Sequence, residues 1–362
     1  MRNKTFLPLA FAATLTVLTA SCNKESAPAA AEIPENGQSS VELSITSAFP
    51  LTRETVADTE DEAKVSSVDY LIFKPGLEAG TYIIDTYVSV SGSPRTNLTM
   101  TQGSRRICAI VNPTRSYSDI STYADLLEEV TALKDQATDC FTMFGYLDTN
   151  VTASTNRITV PVARMVARIK IDQITNALVN STLAAKTFTV TRLFLRRVPS
   201  QALFVNDLDS YTYYAVTGVG NSLSKTVGEV DATTEKASVN ALIYKALDTP
   251  ATVSHGSSYS TSHSFYTFPM PSSANRLSLI VEIKLDDQFY TYPVELQFAV
   301  ERNVSYEITN LILGRPGNPS DGDDIITEDE ARPIELVNVE NANVNVQNWT
   351  LNLLGRNGEV EF

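Results

Sequence analysis

The sequence predicts a mainly β protein with two hydrophobic cores. Its 362 residues exceed what one small β-sandwich needs, so two domains of ordinary size are expected. Val, Thr, Ser and Tyr are frequent and long helical patterns are few, which favours strands. Short alternating segments that end at Pro and Gly indicate the same fold class.

The charge balance excludes some classes of partner. The net charge is −14 at neutral pH, whereas contacts with phosphate groups need clustered Lys and Arg. We therefore expect no nucleic-acid partner and no charge-driven binding to an anionic membrane surface.

The first 21 residues predict a signal peptide. Two basic residues precede an apolar run that is too short to span a bilayer comfortably. The following LTASC places Cys22 where bacterial lipoproteins carry their lipid-modified cysteine, although Thr19 stands where that pattern usually has Leu. A plain secretory signal that ends at Ser21 is the alternative. The Ala-, Pro-, Ser- and Glu-rich segment after Cys22 predicts a flexible tether, so the lipid would hold the precursor at a membrane.

The segment SSVELSITSAFPLTRETVADTEDEAK begins as a strand and continues as a loop. Val41, Leu43 and Ile45 alternate with polar residues, the period of a strand with one buried face. A lone basic residue, Arg53, and an acidic stretch follow. Taken by itself, Arg53 is most simply explained as an ordinary surface arginine in a loop.

Three strands and one helix are predicted next. VDYLIFKPG, TYIIDTYVSV and RRICAIVNP indicate strands that end at Pro or Gly. STYADLLEEVTALKD has four apolar residues at helical spacing: Leu126, Leu127, Val130 and Leu133. Cys108 and Cys140 could pair in an oxidising compartment or be small buried residues, and the sequence leaves both possibilities open.

The segment NRITVPVARMVARIKIDQI predicts one strand that opens the second domain. Its alternation puts Ala163, Met165, Ala167, Ile169 and Ile171 on one side, and Arg164, Arg168 and Lys170 on the other. KTFTVTRLFLRRV, RLSLIVEIKL, QFYTYPVELQF and SYEITNLIL predict further strands of a second sandwich. Ser-, Thr- and Tyr-rich stretches such as TVSHGSSYSTSHSFY are expected to be surface loops between them.

The C-terminal end predicts a linker followed by a detachable strand. GRPGNPSDGDDIITEDEARP is rich in Gly, Pro and Asp and is not expected to continue a sheet. The tail then alternates again, with one shift of register between two sets of apolar residues: Val344 and Val346, then Trp349, Leu351 and Leu353.

No catalytic or metal-binding pattern is present in the sequence. His255 and His263 have no Cys or carboxylate partner at a ligand spacing, so we expect two ordinary surface loop histidines. The acidic groups before the tail do not follow the order of a calcium-binding loop and are expected to be solvated; they are Asp321, Asp323, Asp324, Glu328, Asp329 and Glu330. Motifs of hydrolases, nucleotide-binding proteins and zinc proteases are missing, which leaves an enzyme hypothesis without a residue. We expect no enzyme, no cofactor and no metal.

The order of these segments resembles the FimA-type fimbrillins, the shaft subunits of the fimbriae of Bacteroidales. The matching segments, in order, are SCNKE, the stretch from SSVELSITS to LIFKPG, RRICAIVNP with YADLLEEVTALK, VARMVARIKI, VERNVSYEITNLILGRPGNP and NVNVQNWTLNL. No single segment is specific, but their shared order covers nearly the whole chain.

The resemblance implies two transthyretin-like β-sandwich domains and export as an outer-membrane lipoprotein lipidated at Cys22. It also implies cleavage by an arginine-specific protease between Arg53 and Glu54, which makes residues 22–53 a propeptide. The N-terminal domain would then span 54–158 and the C-terminal domain 159–362.

The implied role is that of a fimbrial shaft subunit that polymerises with its own copies by strand exchange and supports adhesion. Removal of the strand with Val41, Leu43 and Ile45 would open a groove, and the tail, about residues 335–362, would fill the groove of a neighbouring subunit. Two alternatives remain open. One is a tip or anchor subunit of the same family, and the other is a monomeric surface lipoprotein that binds glycan or a host protein through Tyr-rich loops such as DLDSYTYYAV.

Overall fold

The computed structural model describes most of the chain and confirms a mainly β fold. The described residues are 37–47, 55–56, 62–179, 182–205, 213–214, 241–271, 277–296, 299–322, 326–327, 329–334 and 344–349. In this part of the chain, no helix is long and apolar enough to cross a membrane.

The first half of the chain forms strands β1 to β9 and two short helical turns. The strands are β1 (Gln38–Ser47), β2 (Thr55–Val56), β3 (Ser67–Pro75), β4 (Tyr82–Ser91), β5 (Thr96–Thr101), β6 (Gly103–Val111), β7 (Val130–Ala132), β8 (Met143–Val151) and β9 (Arg157–Arg164). Helix α1 spans Tyr123–Leu127 and a 3₁₀ turn spans Leu133–Asp135.

The second half forms the remaining strands. They are β10 (Ala167–Asn176), β11 (Phe188–Arg196), β12 (Val198–Pro199), β13 (Gln201–Leu203), β14 (Tyr213–Tyr214), β15 (Tyr244–Val253), β16 (Ser258–Thr267), β17 (Ser278–Leu285), β18 (Gln288–Glu295), β19 (Val304–Ile308), β20 (Leu311–Leu313), β21 (Asn318–Ser320) and β22 (Val344–Trp349).

The N-terminal sandwich is one seven-stranded sheet that folds over its own core. The strand order is β4-β3-β6-β8-β9-β1-β5. One hydrophobic cluster joins side chains of β1 and β9, such as Val41 and Val160, to side chains of β3 and β6, such as Tyr70 and Ile107. Leu71, on the other face of β3, packs into a second cluster. Strand β3 is thus buried on both faces, which explains its continuous apolar sequence.

The C-terminal sandwich contains two sheets. One has the order β16-β10-β19-β22-β2, with β20 also paired to β10, and the other has the order β15-β11-β17-β18-β21. Side chains of both sheets, such as Ile169 of β10 and Val281 of β17, pack in the second cluster. A short pair between β7 and β13 joins the two sandwiches.

The segment predicted as one strand at the start of the second domain is divided. Strand β9 pairs with β1 and β8 of the N-terminal sandwich, whereas β10 pairs with β16 and β19 of the C-terminal one. The change falls at the buried Met165 and Val166, further along the chain than the predicted boundary after 158. The buried parity also changes there, from Ile158, Val160 and Val162 in β9 to Ala167, Ile169 and Ile171 in β10.

The predicted helix is shorter than its apolar spacing suggested. Thr122 and Asp125 form a capping box at its start, but α1 ends at Leu127. The β-branched Val130 and Thr131 then enter β7 and pair with β13. Strand pairing with the other domain therefore overrides the helical spacing of the sequence.

Two regions predicted as irregular contain strands. The Ser- and Tyr-rich stretch forms the end of β15 and nearly all of β16, which are edge strands of the two C-terminal sheets. In the predicted linker, β21 pairs with the edge of β18, a position that tolerates Pro319. Ile326 and Ala331 pack on Phe194 and Ile280, so this region is docked on the sandwich.

Candidate functional site

The predicted removable strand, β1, lies inside the N-terminal sheet. Its first half pairs antiparallel with β5, from Gln38 opposite Thr101 to Leu43 opposite Thr96. Its second half pairs in parallel with β9 on its other side, from Glu42 to Ser47. Strand β1 therefore bridges two strands that are not paired with each other.

The apolar face of β1 is fully used by the core. Val41 and Leu43 have no exposed surface, and Ile45 keeps 8% of its surface exposed. Val41, Leu43 and Ile45 belong to the core of the N-terminal sandwich. Burial of three such side chains contributes about 4 to 9 kcal/mol by area.

Polar contacts fix the position of β1 along its neighbours. The Ser39 hydroxyl donates to the Thr152 carbonyl oxygen at 2.8 Å, and the Ser44 hydroxyl lies 2.9 Å from that of Thr159. At the surface, Arg157 donates to the Glu42 carboxylate at 2.9 Å. A strand that takes this place must therefore match polar positions as well as apolar ones.

Strand β5 depends on β1 for its place in the sheet. Among the described residues, β1 is the only strand that pairs with β5. Loss of β1 would leave β5 without a ladder partner and would expose one edge of β9. The structure thus places β1 where its removal divides the sheet, instead of at an edge that it merely covers.

The predicted donor segment lies in its own C-terminal sandwich. Strand β22 pairs antiparallel with β19 over nearly its whole length, from Val344 opposite Ile308 to Asn348 opposite Val304. The predicted donor residues Val344, Val346 and Trp349 are in this strand.

The segment after the predicted cleavage site reaches the same strand. Strand β2 pairs in parallel with the end of β22, with Thr55 opposite Asn348 and Val56 opposite Trp349. The residues just after the predicted cleavage site are therefore neighbours of the end of β22 in one sheet.

Several predicted site residues lie outside the described residues. These are the signal peptide, the lipidation site Cys22, the cleavage residues Arg53 and Glu54, and the donor residues Leu351 and Leu353. Their roles stay predictions.

A buried ionic cluster around Glu62 was missed by the sequence analysis. Glu62, in the acidic run after Arg53, is 2% exposed. The Arg168 guanidinium donates to its carboxylate at 3.1 Å, and the Tyr266 hydroxyl donates to the same carboxylate. Arg164 donates to the Glu62 carbonyl oxygen at 3.1 Å and to the Asn303 side chain at 3.2 Å.

This cluster shows that the side of the predicted strand with Arg164 and Arg168 is not exposed there. Both arginines are buried, Arg164 at the end of β9 and Arg168 in β10. Burial is the main cause that raises the pKa of the Tyr266 hydroxyl, and the Glu62 carboxylate raises it further, so Tyr266 stays a neutral donor. Two arginines four residues apart in an otherwise apolar segment were the signal in the sequence that could have indicated a buried acidic partner.

The described residues contain no group of three or more side chains suited to hold a metal ion. Glu330, which was expected to be solvated, is instead buried, and its carboxylate accepts from the backbone N–H of Thr327 at 2.6 Å. Asp321 is exposed, and Asp323, Asp324 and Glu328 lie outside the described residues. His255 is exposed in a turn, but His263 lies in β16 and is half-buried, contrary to the expected loop position.

Cys108 and Cys140 are both free. Cys108 is buried in β6, and burial raises the pKa of its thiol far above the ordinary value. Of the Tyr-rich segment DLDSYTYYAV, the alternative site for glycan or host-protein binding, the structure describes only Tyr213 and Tyr214, which form β14 beside β12.

Known proteins with this architecture include fimbrial proteins. A fimbrilin (FimA) from Porphyromonas gingivalis W83 is 14% identical with a TM-score of 0.55, over 86% of this chain and 98% of that chain. A protein from Parabacteroides distasonis ATCC 8503 assigned to cell adhesion is 15% identical with a TM-score of 0.57, over 86% and 96% of the two chains. At these identities the similarity shows a shared fold.

A comparison of the sequence with family models gives a more specific result. Residues 39–197 match the family described as major fimbrial subunit protein (FimA). No curated protein matches the sequence significantly. The family match starts within β1 and ends just beyond β11, so it includes nearly all of β1 and the rest of the N-terminal sandwich. The resemblance inferred from the order of segments is thereby confirmed for residues 39–197, which are similar to the FimA family of major fimbrial subunit proteins.

Proposed function

We propose that this chain is a shaft subunit of a cell-surface fimbria that is cut after Arg53 and polymerises by strand exchange. The match of residues 39–197 to the FimA family model supports a fimbrial structural or adhesive role and an association with other fimbrial components, and it argues against an enzyme. The observation that carries the mechanism is the position of β1 between β5 and β9.

Cleavage after Arg53 would separate β1 from the mature subunit. The cut lies between β1 and β2, so β1 and everything before it, including a lipid on Cys22, would no longer be covalently attached. Departure of β1 leaves an apolar slot with unpaired backbone groups on β5 and β9. Such a slot favours entry of another strand over exposure to water.

The tail of a second subunit is the proposed occupant. Trp349, Leu351 and Leu353 have the same two-residue spacing as Val41, Leu43 and Ile45. A strand with this pattern can place three apolar side chains in the slot while its backbone pairs with both neighbours. Because each subunit offers a tail at one place and a slot at another, the contact is heterologous and builds an open filament.

The precursor would stay monomeric for the same reason. Its own β1 occupies the slot until the lipoprotein has reached the outer membrane, where an arginine-specific protease acts. Localisation would therefore change from a lipid-anchored precursor to a fimbria at the cell surface.

Substitution of the cleavage residue tests this function. We expect Arg53→Ala to leave a monomeric precursor that keeps its N-terminal segment, as measured by N-terminal sequencing and by electron microscopy of shed fibres. Arg332→Ala is the matched control, because the Arg332 side chain is 72% exposed and far along the chain from Arg53. Fibres built from uncut Arg53→Ala subunits would refute the proposal.

Deletion of the tail separates the shaft role from its alternatives. A chain that lacks residues 341–362 should still be cut but should not polymerise. A monomeric binding module would lose only stability, and an anchor or tip subunit would still join the end of a fibre made by intact subunits.

A further inference from the structure

Strand β2 covers the outer edge of the C-terminal strand β22. In the sheet order, β2 is the last strand, next to the end of β22, and β19 is on the other side of β22. Strand β2 consists of Thr55 and Val56, the second and third residues after the predicted cleavage site.

A two-residue strand does not hold this position by its own ladder. Two residues form few hydrogen bonds, and these do not offset the entropy lost when a chain end is ordered. Strand β2 therefore depends on how the chain is fixed before and after it.

Both flanks of β2 are anchored in the precursor. Upstream, residues 48–54 connect it to β1, whose Val41 and Leu43 are fully buried. Downstream, Glu62 is buried and is bound by Arg164, Arg168 and Tyr266. A segment held at both ends has a high effective concentration at its partner, so even a weak pair stays formed.

We propose that β2 is a clamp that retains β22 in its own subunit, and that the cut after Arg53 opens this clamp. The inference rests on the proposed function for the cut itself. After cleavage only the Glu62 anchor remains, and β2 becomes part of a free chain end, which frays. One proteolytic event thus opens the acceptor slot and also uncovers the edge of the donor strand.

The clamp explains why the residues just after the predicted cleavage site are neighbours of the end of β22. A precursor with a free tail and a filled slot could still donate its strand to a cut subunit and then block growth of the fibre. With the clamp, a subunit donates only after its own slot is open.

Amide hydrogen exchange of residues 344–349 tests the clamp, because exchange reports local opening. The sample is the precursor without its signal segment and Cys22, residues 23–362, before and after cleavage by an arginine-specific protease. We expect cleavage to raise the exchange rate of the amides of residues 344–349 by about tenfold or more, because β2 is then anchored on one side only.

A proline variant isolates the clamp from the loss of β1. In the uncut chain, Thr55→Pro together with Val56→Pro removes both backbone N–H donors of β2. We expect this variant to raise exchange in 344–349 while exchange in 96–101, which reports β5 and hence β1, stays unchanged. Ala79→Pro is the control, because Ala79 lies in an exposed turn where Thr81 donates to Glu78 and Gly80 has a φ of 83°, a setting that accepts proline.

The outcomes separate the clamp from the proposed function. Unchanged exchange in 344–349 after cleavage, in chains that still polymerise, would overturn the clamp and leave strand exchange intact. Increased exchange both after cleavage and in the proline variant, in cut chains that never polymerise, would support the clamp and count against the fimbrial mechanism. Unchanged exchange in the uncut proline variant would also overturn the clamp.

Discussion

Strands β1 and β22 are held in their sheets in opposite ways. Strand β1 has ten residues and bridges two neighbours, β5 and β9, of which β5 has no other strand partner among the described residues. Strand β22 has six residues, one neighbour of similar length, β19, and the two-residue β2 at its end. Both strands are second from an edge of their sheets, but removal of β1 leaves the six-residue β5 without a strand partner, whereas removal of β22 leaves only the two-residue β2 without one among the described residues.

This difference is why the proposed function assigns the proteolytic cut to β1. A strand that carries a neighbour as long as β5 leaves only if another strand replaces the folding energy that it supplies, and a covalent link to the subunit makes its return fast. Strand β22 can leave while the rest of its sheet, β16-β10-β19, stays paired. We therefore expect changes in β1 to affect the stability of the precursor and changes in the tail to affect assembly.

The largest effect is expected at the anchor between the two sandwiches. Glu62→Ala leaves Arg168 buried without its carboxylate partner, and loss of one member of a buried ion pair costs about 3–5 kcal/mol. Urea unfolding of the precursor measures the loss. Glu129→Ala is the control, since Glu129 forms an exposed pair with Arg115. A change below 1 kcal/mol for Glu62→Ala, by the scale of exposed pairs, would mean that the cluster does not hold the segment.

Truncation of the centre of β1 should destabilise the precursor alone. Leu43→Ala creates a cavity at a fully buried position, with an expected cost of about 2–5 kcal/mol in urea unfolding. Ser40→Ala, on the exposed side of the same strand, serves as the matched control. Assembled fibres should be unaffected because β1 is absent from them. Fibres weakened by Leu43→Ala would show that β1 stays in the mature subunit.

Truncation in the tail should have the mirrored effect. Leu351→Ala is expected to weaken the junction between subunits by about 2 kcal/mol, near the low end for such cavities because β5 can relax around the donor. The unfolding midpoint of the precursor should not change. Fibre dissociation in urea measures the first quantity, and Asn352→Ala, of opposite parity in the strand, is the control. Equal loss in precursor and fibre would assign Leu351 to the core of its own subunit.

The smallest effect is expected for the surface contact of β1 with β9. The Arg157 side chain is 60% exposed where it meets Glu42, so Arg157→Ala should cost less than about 1 kcal/mol, and the cost should fall with added salt. Precursor unfolding at low and high salt checks this value against Arg95→Ala. A larger loss of unfolding free energy that does not depend on salt would mean that this ion pair, and not the apolar face of β1, keeps β1 in the sheet.

The strands with clear alternation or apolar runs were predictable from local sequence. Strand β1 shows its buried face as Val41, Leu43 and Ile45, and β3, β4, β6 and β17 follow the apolar segments that predicted them. The order of these segments also gave the resemblance to the FimA family that residues 39–197 show. Each of these features depends on the side-chain period of one strand, which is a local property.

Other features escaped because a distant partner decides them. The helix predicted from Leu126 to Leu133 ends early since Val130 pairs with β13, and the stretch after His255 becomes β16 because β10 offers an edge. Glu62 belonged to an acidic run that appeared solvated, yet arginines more than 100 residues away bury it.

The sequence by itself determined that the chain has an alternating apolar pattern near one end, a similar pattern near the other, and a lone arginine after the first pattern. Only the tertiary structure decided that β1 bridges β5 and β9, that β22 pairs with β19, and that β2 closes its end. The physical reason is that alternation fixes which face of a strand is buried. The choice of hydrogen-bond neighbours belongs to backbone groups that every residue carries, so the packing of the whole sheet selects them.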